Sequence, residues 1–261
     1  MIATRQRRRR RTVRRRDPRL LRMRLAGAAT VLLLVLGIAL YLHSGSGSAD
    51  TTGIAPPDTT ALAPNGPPSP PETLATVSVL PLELPVSQQR VTAIVYHATG
   101  STTAIPLSPA GSQKNAGFFS RLYDRFFGGG SSSGPSYYID SSGTGADTSS
   151  VDVGAPAGTG VYAPVDGVVV SVQPYVLNGA VRGSIVQIRP SNLAAVIVTV
   201  GNLDKHLNVD VGTPVLASVT RLGTIADLSK LIQQTVSNYP SDAGNHVSLE
   251  VSPAPGASPL L

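Results

Sequence analysis

The chain has no cysteine and no tryptophan, and only 5% of its residues are aromatic. Without cysteine there are no disulfides, no thiolate metal ligands and no cysteine nucleophile, and the redox compartment stays open. Acid is scarce where base is dense: the first 24 residues hold twelve of the 21 Lys and Arg but a single acid, Asp17. The rest of the chain carries nine basic and fourteen acidic residues, a net of −5, so the overall +6 describes one tail. A nucleic-acid module needs basic residues interleaved with aromatics in its folded part, and this acidic body argues against one. Nothing sets a Ser on a nucleophile elbow, the sharp strand-to-helix turn of the GxSxG kind. The one Gly-rich loop, GGGSSSG (Gly128–Gly134), lacks the Lys and following helix of a phosphate-binding loop.

What is abundant is turn and linker material, with 26 Gly and 22 Pro in 261 residues. Behind the arginine tail, Leu25 to Leu42 (LAGAATVLLLVLGIALYL) runs 18 residues without a charge. That length suits a spanning helix, whereas the apolar region of a cleaved signal peptide usually has about 7–15 residues. Basic flanks stay in the cytoplasm, so the expectation is an uncleaved single-pass anchor in the cell membrane. The N-terminus is then inside, the remainder is extracytoplasmic, and the arginines lie beside anionic lipid.

The expected order is a cytoplasmic Arg-rich tail (1–24), a transmembrane helix (25–42) and a Pro/Ser/Gly-rich stalk (43–88). An accessory strand and helix with a flexible linker follow (89–136), then the main domain (137–253) and a disordered tail (254–261). The stalk contains SGSGS and PPSPPE, a composition that does not bury a core. In the accessory segment RVTAIVYHATG (Arg90–Gly100) alternates as a strand, and FFSRLYDRFFG (Phe118–Gly128) has the spacing of an amphipathic helix. Strand candidates in the main domain are two runs within Thr159–Val172 joined by Asp166-Gly167, a hairpin signal, then Ser184–Pro190, Ala195–Gly201, Gly212–Val219 and His246–Ser252. Ala226–Tyr239 reads as a helix with Leu228, Leu231, Ile232 and Val236 on one side. The fold class is therefore mainly β, a rolled antiparallel sheet or β-sandwich.

Five phrases in this order carry a resemblance: VDVGAPAGTGVYAPVDGVVVSV, GSIVQIRP, TVGNLD, NVDVGTPV and GNHVSLEV. Together, from Val151 to Val251, they resemble the lysostaphin-type (LytM-like) zinc endopeptidases of bacterial cell walls, and GTGVYAPVDG is their most specific part. The resemblance implies a duplicated hybrid motif of β-strands. It also implies a zinc site made of the His and Asp of an HxxxD spacing and the second His of an HxH strand. Two further histidines would assist the water and the oxyanion, one in a His-Leu pair and one as the first His of HxH.

Carried over position by position, the Asp is Asp152, but the His four residues before it is Thr148. The second His of HxH is Ser248, and the His of the His-Leu pair is Asn202, before Leu203. His246 alone keeps the remaining place. Catalytic zinc usually needs three protein ligands with an open position for water, and the bound ion then supplies the nucleophile. Thr148 and Ser248 are neutral hydroxyls, which leaves Asp152 as the one good ligand. His246 and Asn202 are then vestiges of a catalytic pair, and the expectation is a non-catalytic relative with no cofactor.

Other readings exist for these residues. Asp152 can cap a turn, and His246 can be a hydrogen-bonding residue of a groove near Asp152, Ser248 and Glu250. His206, before Leu207, imitates the His-Leu pair but stands too close to Gly212. An improvised metal site from Asp152, His246 and Glu250 is conceivable, whereas His43 and His97 are assigned no chemistry. The expected function is peptidoglycan binding, or regulation of a wall hydrolase or another envelope complex. The alternatives are an active zinc endopeptidase with atypical ligands, the one case that needs zinc, and a barrel-sandwich adaptor of an envelope complex. An adaptor of that kind needs a long heptad run, and the sequence has none.

Overall fold

Alternation of apolar and polar residues is the dominant local pattern, and it is realised as strands. The computed structural model describes residues 65–116, 134–229, 231, 235–239 and 244–256. All described residues belong to one compact unit, Pro57–Leu261. The expected arginine tail, the helix at 25–42 and the helix at 118–128 lie outside the described residues. Among the described residues, no helix is long and apolar enough to cross a membrane.

The chain is mainly β. The strands are β1 (Thr73–Val77), β2 (Leu80–Glu83), β3 (Ala93–His97), β4 (Ser108–Pro109), β5 (Ser112–Gln113), β6 (Ser136–Asp140), β7 (Ser150–Gly154) and β8 (Gly160–Tyr162). They continue with β9 (Gly167–Leu177), β10 (Ala180–Pro190), β11 (Val196–Leu203), β12 (Pro214–Val215), β13 (Arg221–Thr224) and β14 (His246–Pro253). Nine of them form one sheet in the order β12-β9-β10-β11-β14-β7-β3-β6-β5, flanked by a three-stranded sheet, β2-β1-β4, and a pair, β13-β8. The sheet is antiparallel from β12 to β3, but β6 pairs in parallel with both β3 and β5.

The period of two sorts each central strand into two faces. Ile94 and Tyr96 of β3, Val151 and Val153 of β7, and Val247, Leu249 and Val251 of β14 are buried in one continuous core. Their alternates lie on the opposite face: Ala93, Val95 and His97, then Ser150, Asp152 and Gly154, then His246, Ser248 and Glu250. A second small cluster sits there, where Val236 packs with Ala93 and Val95 against Tyr138 and Tyr239.

Several sequence expectations are corrected by this arrangement. The segment assigned to a stalk through residue 88 contains β1 and β2, with Leu74, Leu80, Leu82 and Leu84 at most 2% exposed. Each such burial is worth about 1.5–3 kcal/mol, enough to fix a Pro-rich segment whose alternation is LPLEL. The accessory strand β3 is a member of the main sheet, tied to β1 by the hydrogen bond from Tyr96 Oη to the Leu74 carbonyl at 2.7 Å.

Asp166-Gly167 joins no hairpin, because β8 pairs with β13 while β9 pairs with β10 and β12. The tight hairpin is β9–β10, turned by Asn178 (φ 52) and Gly179 (φ 74), the Asn-Gly pair that such a two-residue turn demands. The expected helix at 226–239 is replaced, among the described residues, by turns and a 3-10 helix at Thr235–Asn238. There the Asn245 side-chain oxygen accepts from the backbone N–H of both Leu228 and Ser229, holding those amides outside a helix.

Candidate functional site

Adjacent strands β14, β7 and β3 bring together residues distant in sequence. Asp152 lies at the centre, with Ser248 directly across on β14 and Val95 on β3. His246 stands two residues from Ser248, opposite Gly154, and His97 stands two residues from Val95, opposite Ser150. The two imidazoles therefore reach Asp152 from opposite sides and opposite ends. His97 Nε2 lies 3.0 Å and His246 Nε2 3.4 Å from the same oxygen, Asp152 Oδ2. The Asp152 and His246 side chains are 6% and 7% exposed, and that of His97 is 25% exposed. Asp152 Oδ1 is buried without a hydrogen-bond partner.

Asn202 completes the group through a local irregularity. Strand β11 carries a bulge where Ser184 pairs with Leu203 but Val186 with Val200. Asn202 takes φ 61 there, a left-handed conformation that asparagine tolerates. The bulge turns its side chain to the face of Gly201 and Ser248, a common use of bulges near functional groups. Its Nδ2 then lies 2.8 Å from His246 Nε2, while His246 Nδ1 donates to the Gly244 carbonyl at 3.0 Å. These two contacts fix the orientation of the His246 ring.

His97 differs. Its Nδ1 faces the Ala98 carbonyl at 3.1 Å and its Nε2 faces the Asp152 carboxylate. Both partners only accept, so both ring nitrogens must donate, and the ring is an imidazolium. The hydrogen bond to Asp152 outweighs burial and, with the charges of Asp152 and Asp140, raises His97 from 6.5 to about 9. Burial pushes the Asp152 carboxyl up, but the two imidazoles beside it outweigh that and hold it below the usual carboxylate range.

A polar row extends from this cluster across the sheet. Asp140, His97, Ser150, Glu250, Thr199, Gln187 and Ser171 are successive Cα partners on one face. Burial raises the Glu250 carboxyl, an effect that His97 partly opposes.

Of the sequence-selected residues, Asp152, His246, Asn202 and Ser248 meet here. Glu250 lies on the same face but four residues from His246 along β14, about 13 Å at the ordinary strand rise. The improvised trio of Asp152, His246 and Glu250 therefore does not converge. Thr148 precedes β7 in a turn, its carbonyl accepting from Leu107 N–H at 2.8 Å. His206 is away from the cluster, its side chain 95% exposed and 3.0 Å from Asp204. His97, assigned no chemistry from the sequence, is the correction: it is a central member. The missed signal is the alternation of β3, which puts His97 on the face of Ala93 and Val95.

Zinc, the ion that the strand order brings to mind, does not fit these residues. Among the described residues, no group of three or more His, Asp or Glu side chains is arranged to hold a metal ion. The Asp152 oxygen that faces the cluster already receives the His97 proton.

No protein-family model and no curated protein sequence matches the chain. Solved structures similar to it include a zinc-containing peptidase from Vibrio cholerae, at 22% identity over 42% of this chain with a TM-score of 0.29. Csd3 from Helicobacter pylori is similar over 69% of this chain at 15% identity, with a TM-score of 0.33. A structure of the SpoIIQ–SpoIIIAH pore-forming complex is similar over 70% at 14% identity, also with a TM-score of 0.33. The chain spans 29% of the Vibrio structure, 32% of the Helicobacter one and 87% of the last. At this level of likeness none of them assigns an activity to this chain.

Proposed function

We propose that this protein is a membrane-anchored, extracytoplasmic, non-catalytic relative of the lysostaphin-type endopeptidases. It serves in the cell envelope by binding peptidoglycan or by regulating a wall hydrolase or envelope complex. The observation that carries the reading is the state of Asp152. The residue at the family's carboxylate-ligand place is engaged by His97 and His246, and neutral Thr148 and Ser248 occupy the matched ligand places. A bound water activated by zinc needs about three protein ligands, and here Asp152 Oδ2 is instead in contact with His97 and His246. The polar row from Asp140 to Ser171 supports a binding role, since it offers donors and acceptors along an extended path. The anchoring and orientation rest on the apolar run 25–42 and its arginine flank.

The test uses the full chain purified in detergent. Elemental analysis is expected to give far less than one zinc per chain, and wall peptides are expected to remain intact with or without chelator. Stoichiometric zinc together with chelator-sensitive cleavage overturns the reading in favour of an endopeptidase with atypical ligands.

A further inference from the structure

We infer that the cleft at the start of β3, beside β6, is a saccharide subsite that takes a neutral sugar ring of a glycan chain. The inference rests on the wall-binding reading and names the part of the wall that is recognised, sugar and not peptide. The cleft has a volume of about 390 Å³, within the range of roughly 300–1,000 Å³ usual for small-molecule sites. Neither Asp152 nor His97 nor His246 lines it. Its polar lining includes Glu72, Ser136 and Tyr138, all ahead of Val151, where the family resemblance begins. Tyr239 joins them from just beyond the 3-10 helix, which stands between the last two matching phrases.

A pyranose has apolar C–H faces and a rim of hydroxyls, so its site needs aromatic surface next to hydrogen-bonding oxygens. The Tyr138 and Tyr239 rings lie 4.7 Å apart and tilted by 36°, and both line the cleft. Each combines an apolar body with a hydroxyl that donates and accepts. Among the described residues, the Glu72 carboxylate and these two hydroxyls have no hydrogen-bond or ion-pair partner. A carboxylate accepts at both oxygens, which suits two neighbouring hydroxyls of one ring. Gln88, also in the lining, is different: its amide donates to the Pro70 carbonyl and accepts from Ser69 N–H. That residue holds the wall, while Glu72 and the tyrosines keep their polar ends available to a ligand.

The charges of the cleft select against ionic ligands. Lys114 Nζ stands 5.8 Å from the centre of the Tyr138 ring, in the place a ligand cation would take. A cationic ligand therefore meets Lys114, and an anionic one meets Glu72, each a like-charge contact that disfavours the wrong partner. A neutral ligand rich in hydroxyls meets neither cost. This separates a neutral sugar from acidic wall peptides and from phosphate polymers. An extended peptide is read through main-chain hydrogen bonds at a sheet edge, whereas the groups available here are side-chain oxygens beside aromatic rings.

The experiment titrates the full chain in detergent with the tetramer of N-acetylglucosamine, a neutral glycan, by calorimetry and by the tyrosine ring signals in NMR spectra. Saturable binding is expected, with shifts of the Tyr138 and Tyr239 signals. Glu72→Gln keeps the side-chain shape and removes the charge, and it is expected to weaken binding about tenfold. The double variant Tyr138→Phe, Tyr239→Phe keeps both rings and is expected to weaken it about fivefold. Absence of binding by the wild type overturns the inference, as does wild-type affinity in both variants. Unmoved tyrosine signals overturn it without any variant, so it stays testable even where a variant fails to fold. A sugar-free wall peptide that binds more tightly than the tetramer, and loses affinity in Glu72→Gln, makes the cleft a peptide site and overturns it too. The wall-binding reading is judged separately, by sedimentation with intact cell walls. A chain that sediments with walls but ignores the tetramer sinks the inference alone, and one that does neither sinks the wall-binding reading as well.

Discussion

The nine-stranded sheet contains two regions built from the same alternation with opposite outcomes. At β14-β7-β3 one face is buried in the core, and on the other Asp152 and His246 are buried and meet each other and His97, which is a quarter exposed. In the outer part of the β9–β10 hairpin, from Gln173 to Arg182, neither face is covered, and Val176 and Val181 are 54% and 44% exposed. On one side of β9, β12 pairs only with Gly167 and Val168. Pro174 sits in the stretch beyond, as suits an exposed strand that should not recruit another. A charge in the first region must be satisfied internally, since burial without a partner costs several kcal/mol. A valine in the second region loses little by facing water.

The strongest way to break the contrast is to remove its central charge. Asp152→Ala leaves the His97 cation without its partner in a mostly buried place. Such losses cost about 3–5 kcal/mol when burial is complete. His97 is a quarter exposed, and Asp152 Oδ1 gains nothing from its present burial, so the lower end applies. Calorimetry of the full chain should show the C-terminal transition falling by about 6–12 °C. A change under 2 °C would mean that the ion pair contributes no stability.

His97→Gln is milder, because the amide can still donate to Asp152. A loss of about 1–2 kcal/mol is expected at pH 7, and the pH dependence identifies its origin. His97 is raised in the folded state to about 9, so its stabilisation is complete below its ordinary value of 6.5 and is lost as pH rises through about 9. The Asp152 carboxyl is depressed, so its share is present above the usual carboxylate range and is lost as pH falls through the depressed value. In urea unfolding, the wild-type advantage over His97→Gln should therefore shrink between pH 7 and pH 9.5. An advantage that stays constant over that range rules out the charged form as its source.

How much of this was legible depends on which distances the sequence encodes. Periodicity exposes β11 and β14 and assigns His246 and Ser248 to one strand face, whereas Asp152 was selected through the family resemblance and β7 was not among the expected strands. Asn202 was selected by its place in the strand order, but its route to His246 depends on the β11 bulge, which regular alternation does not predict. His97 remained hidden because register between β3 and β7 is set by pairing across 55 residues and not by any local pattern. The β1–β2 hairpin was hidden differently. Its prolines and neighbouring linker suggested a stalk, although Leu80, Leu82 and Leu84 alternate and are buried. The segment at 226–239 failed because apolar spacing suits a helix, while Asn245, beyond it in sequence, takes the backbone amides of Leu228 and Ser229.

The hairpin offers a smaller perturbation that should leave the site alone. Gly179 takes φ 74, and a Cβ there would meet no atom within 4 Å, so Gly179→Ala introduces backbone strain and no clash. A left-handed residue with a side chain costs about 1–2 kcal/mol, here borne by the arm. Amide exchange should quicken from Tyr175 to Arg182, with the ring signals of His97 and His246 unchanged. Altered histidine signals would show that the arm and the cluster share one cooperative unit.

The least effect is expected from Val176→Thr, and its smallness is the point. Threonine keeps the branched shape that suits a strand, and Val176 is 54% exposed, so little apolar burial is lost. Surface changes of this kind stay within about 0.5 kcal/mol, and the transition temperature should move by no more than about 2 °C. Were the full chain instead destabilised by more than 1 kcal/mol, Val176 would have to be covered in solution by another surface. Concentration-dependent unfolding would then identify a second copy of the chain as that cover. An unchanged transition at every concentration leaves the two regions as they are drawn here: one face where polar groups are enclosed and must pair, and one arm where apolar groups are open to water at little energetic cost.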